Sequence, residues 1–162
     1  HLAKKGYIDP TKVGCMGWSQ GGFISAFAGN HSRKFRAVSV GAGISNWHTY
    51  FVSSDIPKFT KDYLSGSPFN KREIYHKTSP VSGISRKSVP HLIQHGSLDQ
   101  RVPLVNAKEL YRGLKEMSVP VEFFVYSGFG HIINKPKEAQ LIMQQNLKWF
   151  MHYLLDQPLE FE

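Results

Sequence analysis

The chain has 162 residues, 41% of them apolar and 20% charged, a balance that gives one domain with a packed core and excludes disorder. No apolar run reaches the roughly 18 residues of a membrane span, and a single cysteine, Cys15, excludes an internal disulfide. The formal charge is +8, but Lys4, Lys5, Arg33, Lys34, Arg36, Lys71, Arg72, Arg86 and Lys87 are scattered, so a solvated basic surface is expected and no nucleic-acid or membrane partner.

In chain order, Tyr7 to Lys12 contains the turn dipeptide Asp9-Pro10 and leads into a strand over Lys12 to Met16. A tight turn follows at Gly17-Trp18-Ser19-Gln20-Gly21-Gly22, and then a helix from Gln20 to about Asn30. Phe35 to Gly41 is short and β-branched and reads as the next strand. The stretch from Ile44 to about Lys87 carries Trp47, Tyr50, Phe51, Phe59, Tyr63, Phe69 and Tyr75, with prolines at 57, 68 and 80. It predicts short helices and loops covering a site, one of the helices around Phe59 to Leu64. Ser88 to Gly96 is a third strand and Ser97 to Pro103 a loop. Leu104 to Met117 is an amphipathic helix with Ala107, Leu110, Leu114 and Met117 on one face. Pro120 to Tyr126 is a fourth strand, Ser127 to His131 a loop, and Lys137 to Leu155 a last helix. The stripe expected to be buried on that helix is Ala139, Met143, Leu147, Phe150 and Leu154. Strands alternating with helices predict an α/β fold, a mostly parallel sheet with helices on both faces.

The turn matches G-x-S-x-G, with Ser19 at the tip between strand and helix. Gly17 and Gly21 are expected where a Cβ would meet the opposing backbone, and Gly22 where the helix packs closely. In a parallel sheet the loops after the strands line the site. Three such loops deliver Ser19, Asp99 and His131, in the order of an α/β-hydrolase triad. Ser19 is the expected nucleophile, His131 its base, and Asp99 the group that orients the imidazole. The backbone N–H of Gln20 is the expected oxyanion donor. Among the other histidines, His95 is expected to support the Asp99 loop. Asp55 and Asp62 read as solvated carboxylates, and Cys15 as an inert core thiol. No metal or cofactor is called for.

Three pieces carry a resemblance: Gly17-Trp18-Ser19-Gln20-Gly21-Gly22, His95 through Pro103, and Gly128-Phe129-Gly130-His131. Together with Tyr7-Ile8-Asp9-Pro10 and Ser79-Pro80, they resemble the catalytic domain of the prolyl oligopeptidase family, in its acylaminoacyl-peptidase and dipeptidyl-peptidase branch. The resemblance implies an α/β-hydrolase fold and hydrolysis of peptide or ester bonds through an acyl-enzyme. It also implies an apolar substrate pocket at Trp47, Tyr50 and Phe51, to which Trp18 beside the nucleophile is added. The alternative for these aromatics is packing of the cover onto the sheet.

The elbow strand of this fold normally follows several others, together with a loop that gives the second oxyanion donor. Here it begins near residue 12, so the chain is expected to be the second half of a catalytic domain, a piece of a longer enzyme. Its uncovered strand edge is expected to self-associate. Three functional readings stand: a serine peptidase acting on short or N-acylated peptides, a carboxylesterase on the same scaffold, and an inactive interaction module. One free thiol and no visible targeting segment make the cytoplasm the expected compartment.

Overall fold

The computed structural model describes residues 1–161. Four parallel strands, β1 (Gly14–Trp18), β2 (Ala37–Gly41), β3 (His91–Gly96) and β4 (Val121–Tyr126), lie side by side in sequence order. The central β2 and β3 are buried along their whole length, as expected of parallel strands covered on both faces. The outer β1 and β4 leave Met16, Glu122 and Val125 exposed.

Each strand returns to its neighbour through a crossover, and the right-handed rule places successive crossovers on one face. That face holds α1 (Gln20–His31) and α5 (Val105–Glu116), and α6 (Pro136–Leu155) closes the other. The α5 stripe lies where the periodicity predicts. Ala107, Leu110 and Leu114 are buried against Val38, Val40 and Ile93, and Met117 at the helix end is partly exposed. The buried face of α1 is made of small residues, Gly22, Ser25, Ala26, Gly29 and Asn30, so this helix lies close to the sheet.

The expected α6 stripe is corrected by the structure. Met143 and Leu147 are exposed, and the buried positions are Gln145, Asn146 and Trp149. The sheet beneath them presents polar partners. Ser39 Oγ donates to Asn146 Oδ1 at 2.6 Å and Gln94 Nε2 donates to the same oxygen at 3.1 Å. The Tyr126 hydroxyl donates to Gln94 Oε1 at 2.7 Å and meets the Gln145 amide at 2.6 Å. A buried amide with partners is at home in a core, whereas Met143 there would leave these groups unpaired.

The stretch between β2 and β3 forms three short helices, α2 (Trp47–Ser53), α3 (Pro57–Tyr63) and α4 (Arg72–Lys77). They close over their own cluster of Ile44, Trp47, Tyr50, Leu64 and Tyr75, which Val102 joins from the loop after β3. Asn46 caps α2 by accepting the His48 N–H. Both Asn46 and Thr49 donate to the Glu109 carboxylate on α5. Among the described residues, no helix is long and apolar enough to cross a membrane.

Candidate active site

Ser19 sits between β1 and α1 with φ +60° and ψ −118°, a conformation that β-carbon-bearing residues adopt only when their surroundings enforce it. Here the Ser19 N–H donates to the Gly41 carbonyl at 2.8 Å, and the Ser19 carbonyl accepts the Phe23 N–H at 3.0 Å. A Cβ on Gly17 would stand 2.5 Å from the Gly21 carbonyl carbon, so only glycine lets the strand and helix approach at the tip. Gly21 departs from expectation, since a Cβ there meets nothing within 4 Å. Of the two glycines that flank the tip, the steric demand falls on Gly17. Gly22 does need its lack of a side chain, because a Cβ would stand 2.3 Å from the Gly41 oxygen.

Asp99 follows β3 and is 5% exposed. Its Oδ1 accepts the Val102 N–H at 2.9 Å and its Oδ2 faces His131 Nδ1 at 2.8 Å. Burial by itself would raise the carboxyl pKa. The hydrogen bonds from His131, His95 and the Val102 N–H outweigh it and hold the group well below the usual carboxylate range. His95 is fully buried, and its Nε2 donates to the Val102 carbonyl at 2.7 Å while lying 3.4 Å from Asp99 Oδ2. It pins both ends of the turn that carries the acid.

His131 arrives on the loop after β4. Gly96 makes the approach feasible, since a Cβ there would stand 2.2 Å from the Gly130 oxygen. Two hydrogen bonds join the Asp99 and His131 loops: Leu98 N–H to the Phe129 carbonyl at 2.8 Å, and Gly128 N–H to Ser97 Oγ at 2.9 Å. On the far side of the ring, His131 Nε2 lies 2.8 Å from Ser19 Oγ. With Nδ1–H donated to Asp99, Nε2 carries the lone pair and accepts the Ser19 hydroxyl proton. Three residues drawn from positions 19, 99 and 131 thus form one continuous hydrogen-bonded line. Gln20 is the first residue of α1, so its main-chain N–H precedes the first intrahelical bond.

The aromatic residues behave differently. Trp47 is fully buried and Tyr50 is 2% exposed, and both belong to the cluster that packs the cover. The Trp47 ring packs against Phe23 of α1 at 5.0 Å and against Tyr50 at 5.7 Å. Phe51 is half-buried beside them. Tyr63 of α3 is exposed, and its hydroxyl lies 3.4 Å from the Gln20 side chain, next to the nucleophile. Trp18 turns its indole toward the His131 loop, where Nε1 donates to the His131 carbonyl at 2.9 Å.

Sequence reasoning missed how the acid loop is tied to the cover. Asp55 is not a merely solvated carboxylate: Arg101 grips it with two hydrogen bonds, at 2.8 and 3.2 Å. This pairing lowers the Asp55 pKa. Ser54 Oγ donates to the Arg101 carbonyl at 2.8 Å, and the Asp55 N–H donates to the Gln100 carbonyl at 3.1 Å. No local pattern announces a pair 46 residues apart. Cys15 is a partly buried thiol beside Ser25 Oγ. Among the described residues, no group of three or more His, Cys, Asp or Glu could hold a metal ion.

The chain is similar to known proteins over most of its length. The family model described as "Prolyl oligopeptidase family" matches residues 1–157. Dipeptidyl-peptidase 5 of Porphyromonas endodontalis is 28% identical over 158 residues, which are 94% of this chain and 23% of that protein. Acylamino-acid-releasing enzyme 1 of Oryza sativa subsp. japonica is 33% identical over 147 residues, 84% of this chain and 19% of that one. The acylaminoacyl peptidase of Pyrococcus horikoshii superposes with a TM-score of 0.89 at 26% identity, covering 99% of this chain and 27% of that structure. The chain therefore spans about a quarter or less of the length of these relatives. With its parallel sheet, its helices on both faces and a family match over nearly its full length, the chain has the α/β-hydrolase fold and belongs to the prolyl oligopeptidase family.

Proposed function

We propose that this chain carries the nucleophile, base and acid of a serine peptidase that acts on short or N-acylated peptides as part of a longer enzyme. The observation that carries the reading is the unbroken line Ser19 Oγ, His131 Nε2, His131 Nδ1, Asp99 Oδ2, with 2.8 Å at each hydrogen bond. The substrate class follows from the relatives, which are named for dipeptide release and acylamino-acid release.

Ser19 Oγ attacks the scissile carbonyl carbon as His131 Nε2 takes its proton, and the carbonyl π pair moves onto oxygen. The resulting oxyanion faces the Gln20 N–H. Collapse breaks the C–N bond, and His131 gives its proton to the departing amine nitrogen. Water then gives a proton to His131 and attacks the acyl carbon, and Ser19 leaves with the proton returned. Asp99 stays ionised throughout, compensating the imidazolium. The second oxyanion donor belongs to the longer enzyme in this reading, and one such donor is worth about a hundred- to a thousandfold in rate.

The test is made on the longer enzyme with a fluorophosphonate probe, an N-acylated peptide and a short-chain p-nitrophenyl ester. The native protein labels at Ser19 and cleaves the peptide, and Ser19→Ala abolishes both. Ester turnover without peptide turnover moves the assignment to a carboxylesterase. Turnover that survives Ser19→Ala, or an unlabelled native protein, overturns the triad.

A further inference from the structure

We propose that Trp18 is a positioning residue for His131, its indole N–H holding the main chain of the loop that presents the imidazole to Ser19. The proposal rests on the peptidase reading above for its consequence, though not for its geometry.

The segment from Ser127 to Lys135 contains no helix or strand. Its first half is held from β3 by the bonds of Leu98 N–H and Ser97 Oγ to Phe129 and Gly128. The His131 carbonyl takes a different donor, Trp18 Nε1 at 2.9 Å, from a residue 113 positions earlier. Trp18 ends β1 and immediately precedes the nucleophile. One rigid strand end thus fixes Ser19 through the main chain and His131 through a side chain, so the two reacting atoms share a single reference.

The slot for the indole is built. A Cβ on Gly41, the neighbour of Trp18 across the β1–β2 pair, would stand 2.1 Å from the ring. Any larger residue at 41 would push the indole off its acceptor. The ring also lines an apolar hollow together with Ile142, Met143 and the two residues that follow the histidine, Ile132 and Ile133. Ile132 itself is 73% exposed, so its packing does little to fix the loop and the indole contact matters more.

The consequence is specific to rate. The Ser19–His131 contact is 2.8 Å, and a misplacement of about 1 Å at a reacting centre costs on the order of a hundredfold. Trp18→Phe keeps a ring in the slot and removes the donor. The maximal rate of fluorophosphonate labelling at Ser19 then falls about ten- to a hundredfold, while the probe concentration for half-maximal rate and the thermal midpoint stay near those of the native protein. In the same variant the downfield proton resonance of His131 Nδ1–H, shared with Asp99, broadens or disappears. A second measurement uses the native protein alone: the Trp18 indole proton exchanges with solvent more slowly than that of a free indole. Native labelling rate with an unchanged resonance in Trp18→Phe, or indole exchange at the free rate, overturns the tether. A native protein that does not label at all overturns the peptidase reading instead, and the resonance and exchange measurements still decide the tether.

Discussion

Under α1 and α5 the sheet is closed by Val38, Val40, Ile93, Leu110 and Leu114, whereas under α6 it is closed around Ser39, Gln94, Tyr126, Gln145 and Asn146. The first face is held by area removed from water. The second combines the apolar cluster of Ala37, Leu92 and Trp149 with amides and hydroxyls that satisfy one another where water is excluded. Buried polarity is therefore not charge here, since none of those five side chains is ionised near neutrality. A buried imidazole lies on the aliphatic side. His91 of β3 is fully buried against α1, its Nδ1 2.6 Å from the Val89 carbonyl. Burial pushes its pKa from 6.5 down to about 4.

This contrast predicts that the aliphatic face is the one that fails in acid. The unfolded chain binds a proton at His91 as pH drops through 6.5, while the folded chain resists until about 4. Stability is thus full above 6.5 and declines through that window, by about 3 kcal/mol in total. The Asp99 carboxyl, held well below its usual range, loses its contribution only at lower pH and does not confuse the reading. Urea unfolding at pH 6.5 and 4.5 measures the slope. His91→Gln flattens it, whatever that change does to stability at neutral pH, and an equal slope in the variant assigns the acid sensitivity elsewhere.

The same contrast explains what could be read in advance. The α5 stripe was legible because apolar side chains at helical spacing met an apolar sheet face. Ser19, Asp99 and His131 are picked out locally by the tight turn and the strand-end loops, in the order of a known arrangement, and the three side chains meet in one hydrogen-bonded line. On α6, apolar spacing pointed to Met143 and Leu147, because periodicity counts hydrophobic residues and cannot know that the opposing strands present Ser39 and Gln94. For the aromatic cover the linear pattern leaves two readings, a pocket wall and packing of the cover, and the rings of Trp47 and Tyr50 join a cluster with Phe23 and Val102. The grip of Arg101 on Asp55 and the bond from Trp18 to the His131 carbonyl join distant segments, and pairwise geometry of that kind leaves no trace in a linear pattern.

A smaller effect tests whether the polar face works as one unit. Asn146 accepts from both Ser39 and Gln94 through a single oxygen. Asn146→Leu nearly conserves volume but strands both donors, so it destabilises by about 1–3 kcal/mol. Adding Ser39→Ala removes one of the stranded groups, and the double variant loses less than the sum of the two single losses. Equilibrium urea unfolding of the three variants supplies the cycle. Strict additivity would mean that these side chains are neighbours without being partners.

The smallest expected effect falls on the residues that apolar spacing had placed inside. Leu147 is 60% exposed and Met143 is 70% exposed, so neither supports the fold it decorates. Leu147→Gln therefore changes unfolding stability by no more than about 0.5 kcal/mol, against the loss of about 2–5 kcal/mol that truncating a buried leucine produces. Its effect belongs to association instead. Met16 on the outer strand is 58% exposed, and among the described residues β1 pairs only with β2. An apolar helix face and an open strand edge are the features through which the isolated chain is expected to meet a second copy. Size-exclusion chromatography of the isolated chain then shows a smaller apparent mass for Leu147→Gln than for the native sequence at equal concentration. A stability loss of 2 kcal/mol or more would return Leu147 to the core. An unchanged elution with unchanged stability would leave the strand edge alone as the surface that draws two copies together.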